Sequence, residues 1–244
     1  MFVLSWAVPL DEMVEWFYKN KTYGGSLRSC ALVGGSVVAR GSSRGNDIDA
    51  HDTVIRVNRM PTSKYAADFG RRTDILFANL ETANTARTFE MGGAKTYCKT
   101  TKATAVVFKG TCNPKRLWAP VARKWRSCGL PVGHQKDDIA RGVCGLTLYK
   151  NSGGSRQVTS GFLAFVTFAP VCETLTLYAF GGPPEAADGH KQLHHHDTPA
   201  ENDLVDAIIE TNELRDDDAN HDRNFRRLQS YLANLKPKVR VVRD

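Results

Sequence analysis

The chain has 244 residues, of which 41% are hydrophobic and 24% charged. Such fractions exclude whole-chain disorder and a collagen-like repeat, and the length suits one globular domain, residues 1–244, that buries roughly 70–75% of the surface its unfolded chain would expose. Lys and Arg outnumber Asp and Glu by 33 to 26, a net charge of +7, which points to an anionic partner such as a phosphate, an acidic sugar or a nucleic acid, with a basic surface that has no specific ligand as the alternative.

In chain order, Leu10, Met13, Val14, Phe17 and Tyr18 recur at helical spacing, predicting an amphipathic helix from Leu10 to Asn20 within an N-terminal extension, 1–25. Cys30 to Val33 reads as a short buried strand, stopped by Gly34-Gly35-Ser36. Val54 to Asn58, Thr73 to Ala78 and Ala103 to Phe108 read as further strands. Pro114 to Ser127 has a helical pattern with Pro near its first turn. Thr159 or Ser160 caps a helix from Phe162 to about Phe168, followed by a strand from Thr174 to Phe180. Glu201 to Leu214 and Asn224 to Leu235 close the chain as helices. Short apolar strands alternating with helices predict an α/β fold with a mainly parallel sheet flanked by helices.

No stretch of the sequence reads as a membrane span. The longest suitable uncharged run, Gln157 to Cys172, is 16 residues and is interrupted by Thr159, Ser160 and Gly161, where a span needs roughly 20 apolar residues. Met1 to Leu10 lacks a basic region and is a poor signal peptide. The chain therefore reads as a soluble protein or as part of a longer one. It has six cysteines and no C-x-x-C pair, which argues against a zinc ribbon and leaves the pairing open. Asn20-Lys21-Thr22 is a glycan acceptor triplet in the secretory route.

Two turns are candidate anion sites. Gly34-Gly35-Ser36 follows a strand, and backbone N–H groups there can approach a phosphate or ribose without a Cβ in the way. The dinucleotide and P-loop spacings are both missing, so a tight connection is the competing reading. Thr159-Ser160-Gly161 offers two hydroxyls and the exposed N–H groups of a helix start; plain N-capping is the alternative. His190, His194, His195 and His196 crowd one stretch ahead of Asp197 and Glu201. Neighbouring histidines on one loop seldom converge on one ion, so a general base is preferred to a metal site, with a merely polar loop as the third reading. Asp47-Ile48-Asp49 precedes a strand instead of ending one and reads as turn and capping residues, not as a metal-binding acidic pair.

Taken together, these segments resemble a known family. Residues 30–77 run Cys30-Ala31-Leu32-Val33-Gly34-Gly35-Ser36, then Arg40-Gly41-Ser42, Ile48-Asp49-Ala50-His51-Asp52 and Val54-Ile55-Arg56-Val57-Asn58-Arg59-Met60-Pro61-Thr62, closing on Phe69-Gly70-Arg71-Arg72-Thr73-Asp74. This resembles the large sialyl motif of the eukaryotic sialyltransferases, glycosyltransferase family 29. Residues 158–181, from Val158-Thr159-Ser160-Gly161 through Cys172 to Leu177-Tyr178-Ala179-Phe180-Gly181, are similar to the small motif. His196 and Glu201, with four residues between them, resemble the very small motif.

The resemblance implies a Rossmann-like variant of the GT-A fold and transfer of sialic acid, or a related acidic keto-sugar, from a CMP-sugar to a glycan hydroxyl, inverting and without a metal or other cofactor. It implies that Gly34, Gly35, Ser36, Asn58, Thr159, Ser160 and Gly161 bind the donor, that His196 is the catalytic base and that Glu201 supports it. His190, His194 or His195 would support the phosphate. It further implies a Cys30–Cys172 disulfide, a variable acceptor region over 81–155, a glycan acceptor on glycoprotein or glycolipid, and residence in the Golgi lumen. The chain departs from the family at Gly35, where Asn is usual, at Val158-Thr159-Ser160-Gly161 in place of Pro-Ser-Thr-Gly, and in having no aromatic-flanked His before His196. Those departures keep open an inactive nucleotide-binding relative. A basic nucleic-acid-binding domain, carried by Lys115, Arg116, Arg123, Lys124 and Arg126, is the third reading.

Overall fold

A computed structural model describes residues 8–9, 27–36, 39–58, 64–79, 82, 103–109, 125–126, 129–135, 137–146, 158–181, 198–211, 226, 228–230, 232 and 238–242. The elements are β1 (Val8–Pro9), β2 (Ser29–Val33), α1 (Gly45–Asp49), β3 (Thr53–Val57), α2 (Ala66–Phe69), β4 (Ile75–Ala78), β5 (Ala105–Phe108), β6 (Val132–His134), α3 (Asp137–Cys144), α4 (Ser160–Phe168), β7 (Thr174–Tyr178), α5 (Thr198–Thr211) and β8 (Lys238–Val241). A short 3-10 turn, Ala169–Val171, links α4 toward β7.

The strands form one eight-stranded sheet in the order β1-β6-β5-β4-β3-β2-β7-β8, and every pairing is parallel. The expected α/β class with a parallel, Rossmann-like sheet is therefore what the chain adopts. A parallel sheet is covered on both faces, and β3, β4 and β5 are accordingly buried at every position. The two-residue period of a strand sorts their side chains onto two faces. Leu32, Ile55, Phe77 and Val107 join the cluster built on α4. Val33 and Val54 pack with Ile48 of α1 and Phe69 of α2. Leu76, Val106 and Phe108 pack with Trp125. Helix α4, SGFLAFVTF, is apolar around its whole circumference and is buried from Phe162 to Phe168, as such a helix must be.

The expected strands are present with ends moved by a residue or two: β2 and β3 begin one residue earlier, and β4, β5 and β7 are shorter. Asn58 and Ala179, both at φ 57°, turn the chain out of β3 and β7. Helices α1, α2 and α3 and the strands β1, β6 and β8 lie beyond the sequence expectations. Asp47-Ile48-Asp49 corrects one of them: these residues belong to α1, not to a turn. Gly, Asn and Asp are weak helix formers, and α1 is held by tertiary contact. A Cβ on Gly45 would run into the Ala66 carbonyl of α2, so only glycine lets the two helices pack so closely. Asp49 does cap, as expected, but the chain it caps is distant: it accepts from Arg71 N at 2.7 Å and Arg72 N at 2.9 Å. The helix expected from Glu201 starts earlier, at Thr198, with Glu201 in its first turn. Trp125 and Arg126 are helical, within the helix expected over Pro114 to Ser127. The helix expected over Leu10 to Asn20 lies outside the described residues. Among the described residues no helix is long and apolar enough to cross a membrane.

The expected disulfide is present. Cys30 and Cys172 are bonded, with Cα atoms 6.0 Å apart, inside the usual range for such bonds. The bond ties the start of β2 to the segment between α4 and β7. Cys144 is also disulfide-bonded.

Candidate functional site

From β2 the sheet extends one way through β3, β4, β5 and β6, and the other way through β7 and β8. The strand order therefore reverses between β2 and β7. Open α/β sheets carry their ligand crevice at the carboxyl ends of the strands at such a point.

Two of the sequence-predicted segments meet there. The turn after β2 is stitched to the turn after β7: Gly34 N donates to Tyr178 O at 2.8 Å and Ser36 N to Ala179 O at 3.2 Å. The Ser36 hydroxyl donates to the Gly181 carbonyl. A Cβ on Gly34 would stand 2.5 Å from Ala179 O and 3.2 Å from the Phe180 ring. A Cβ on Gly161 would stand 3.3 Å from the same ring. The glycines of both motifs thus close on one aromatic ring, which brings the helix start Thr159-Ser160-Gly161 to the turns after β2 and β7. Asn58 lies at the same end of the sheet, where its N–H reaches Phe77 O at 2.8 Å and its Oδ1 accepts from Asn79 N at 2.9 Å.

Thr159 is the N-cap of α4. Its backbone is extended (φ −66°, ψ 157°) and its hydroxyl accepts from Phe162 N at 3.0 Å. Glu201, only 3% exposed, holds the same residue. One carboxylate oxygen accepts from Thr159 N at 2.8 Å, and the other accepts from the Thr159 hydroxyl. The small and very small motifs are thus joined through a buried carboxylate, and Glu201 fixes the start of α4. His190, His194, His195 and His196 lie outside the described residues.

Sequence reasoning passed over Lys109, the residue after β5. Its ammonium donates to Val158 O at 2.9 Å and stands 3.5 Å from Ser160 Oγ. The signal was a lone cation directly after an apolar strand, Ala-Val-Val-Phe-Lys, a place where a ligand-facing residue sits in a parallel sheet. Phe180 belongs to the small motif, but nothing in the sequence gave its ring a role. Among the described residues no three His, Cys, Asp or Glu side chains gather as a metal site.

The opposite end of the sheet is polar in a different way. Arg72 donates to the carbonyls of Asp49, His51 and Asp52 at 2.7, 2.7 and 2.9 Å and to Asp74 Oδ2 at 2.6 Å. Asp74 Oδ2 also accepts from Val54 N at 2.9 Å. Asp52 accepts from Ser29 N and Ser29 Oγ, and those hydrogen bonds hold its carboxyl below the ordinary carboxylate range. Arg56 is 2% exposed; burial lowers its guanidinium to about 10, so it remains charged at neutral pH.

The sequence profile of glycosyltransferase family 29 (sialyltransferase) matches residues 9–113. A "sialyltransferase-like protein 2" of Oryza sativa subsp. indica is 29% identical over 209 residues, covering 74% of this chain and 53% of that protein. The CMP-N-acetylneuraminate-beta-galactosamide-alpha-2,3-sialyltransferase 1 of Gallus gallus is 32% identical over 186 residues, covering 70% of this chain and 48% of that protein. The chain thus spans about half the length of these curated relatives. A crystal structure of a mammalian sialyltransferase in complex with Gal-beta-1-3GalNAc-ortho-nitrophenol aligns over 88% of this chain and 69% of its own, at 18% identity and a TM-score of 0.47. The family resemblance read from the three motifs is borne out by the profile and the curated relatives.

Proposed function

We propose that this chain, a member of glycosyltransferase family 29, transfers sialic acid or a related acidic keto-sugar from a CMP-sugar to a glycan hydroxyl, with inversion and without a metal. The observation that carries this reading is the meeting of two glycine turns on the Phe180 ring, beside the hydroxyl-bearing start of α4, at the switch point of a parallel sheet. Backbone N–H groups and hydroxyls at a helix start suit an anionic ligand. Gly34, Gly35, Ser36 and Asn58 hold the cytidine monophosphate in this reading, and Ser160 and Gly161 line its phosphate at the helix start that Thr159 caps.

In the reaction, the acceptor oxygen forms a bond to the anomeric carbon while the bond from that carbon to the phosphate oxygen breaks. His196 takes the acceptor proton, and His190, His194 or His195 supports the phosphate. Negative charge grows on the departing CMP, and donors aimed at it lower the barrier. The 81–155 region sets the acceptor; a β-galactosamide, part of the name of the Gallus gallus relative, is the first to test. The Cys30–Cys172 bond suits an oxidising compartment, and we assign the Golgi lumen on that ground and on the family's habit.

The test is a CMP titration with CMP-sialic acid turnover, donor hydrolysis without acceptor included. Binding and turnover support the transferase. Binding without turnover supports the inactive relative, which the missing aromatic-flanked His favours. Preference for RNA over CMP would overturn both. His196→Ala should lower turnover by ~10²-fold or more with CMP affinity kept, since general-base help is typically worth ~10²–10⁴-fold.

A further inference from the structure

We propose that Lys109 is a positioning residue of the donor site, which orients the Ser160 hydroxyl toward the donor's phosphate and divides the labour between the two hydroxyls at the start of α4. The inference rests on the donor-site reading above.

The two hydroxyls are engaged differently. A carboxylate only accepts hydrogen bonds, so the Thr159 hydroxyl donates its single proton to Glu201 and accepts from Phe162 N. Its proton is committed inside the fold, and it has none to offer a ligand. Thr159 is therefore an N-cap. This departs from the expectation that both hydroxyls bind donor.

At Ser160 the polarity is reversed. An ammonium only donates. Lys109 holds Val158 O at 2.9 Å and stands 3.5 Å from Ser160 Oγ, so Ser160 meets the cation with its lone pairs. Its proton then points away from Lys109. A phosphate oxygen in the crevice is the acceptor that suits a hydroxyl polarised by a neighbouring cation, and the fixed charge of Lys109 favours that anion. The cation follows β5 and the hydroxyl opens α4, so the arrangement is set by the sheet and not by local sequence.

The experiment compares CMP with cytidine, which lacks the phosphate, on the full chain. Lys109→Met keeps the length of the side chain and removes the charge. It should weaken CMP by about tenfold or more, the scale of a charge-assisted hydrogen bond, and leave cytidine within about twofold of the parent. Ser160→Ala should show the same split, and Lys109→Met added to it should cost little more, whereas Thr159→Ala should weaken both ligands alike. Equal loss of CMP and cytidine in Lys109→Met would reduce Lys109 to a structural role and overturn the proposal. A parent chain that binds neither ligand would overturn the donor-site reading and this proposal together. If Lys109→Met does not fold, Lys109→Arg decides: the charge-preserving variant should bind CMP within about threefold of the parent, and a loss of about tenfold in CMP affinity in a folded Lys109→Arg, or no change in Ser160→Ala, would overturn the role.

Discussion

The two ends of the sheet are both polar, and they differ in where their polar groups are directed. At the amino end, Arg72 meets three backbone carbonyls and Asp74, Asp49 meets two backbone N–H groups, and Asp52 meets Ser29. These charges close on the loops before β3 and β4 and hold them together. At the carboxyl end the backbone turns are stitched by Gly34, Ser36 and Gly181, and one side-chain hydroxyl and one ammonium stand together at the start of α4. A parallel sheet must satisfy both ends. This chain meets most of the polar groups at the amino end internally, His51 Nδ1 and two Arg56 nitrogens excepted, and the carboxyl end carries the proposed donor site. Substitutions at the amino end should therefore move stability alone, and those at the carboxyl end should move binding as well.

The largest effect belongs to the amino end. Asp74→Ala orphans the buried N–H of Val54 and removes the carboxylate from Arg72. Urea unfolding should show a loss of roughly 3 kcal/mol, as expected when a buried donor is left unpaired and a charge-assisted bond is lost. CMP affinity of the folded fraction should not change; a matching loss of CMP affinity would erase the distinction between the ends. Next is Gly34→Ala at the carboxyl end. Its Cβ would lie 2.5 Å from the Ala179 carbonyl, a backbone atom that cannot swing aside. Overpacking of this kind costs about 1–3 kcal/mol, and the displaced turns should weaken CMP by at least tenfold in the same titration. Glu201→Gln is smaller. The amide exchanges a charged acceptor for a neutral one at Thr159, worth roughly 1 kcal/mol in thermal unfolding.

How much of this was legible in sequence follows from which interactions are local. Strands β2 to β5 and β7 are short, mostly apolar runs with Gly, Asn or Pro nearby, and Thr159 announces itself as a cap by standing before an apolar run. The family motifs placed Cys30 against Cys172 across a separation of 142 residues, which no local rule could supply. What escaped is tertiary in origin. Helix α1 exists because Gly45 fits beneath α2, against its own propensity. Lys109 matters because β5 ends beside α4, a juxtaposition absent from either segment alone. Glu201 was expected to support His196, which lies outside the described residues; among the described residues it holds Thr159, 42 residues earlier.

The smallest effect, and the sharpest probe of the amino end, is the titration of His51. Its Nε2 lies 3.1 Å from the Tyr178 hydroxyl and its Nδ1 is buried without a hydrogen-bond partner. Burial holds the imidazole below its ordinary value of 6.5; nearby Asp52 opposes the shift and Arg72 adds to it. Between the two values the unfolded chain binds the proton and the folded chain does not. The stability is therefore fully present above about 6.5 and is lost as pH falls below it. Asp52 acts in the same direction but in a separate window, below 3.8. Thermal midpoints of the parent chain should drop between pH 7 and pH 5, with uptake of at most one proton attributable to this site. His51→Gln keeps a partner for Tyr178 and does not titrate, so the parent should lose stability relative to the variant as pH falls through that range. A variant whose midpoint falls in parallel with the parent would show that the amino end carries its imidazole without any burial penalty, and would place the acid sensitivity elsewhere.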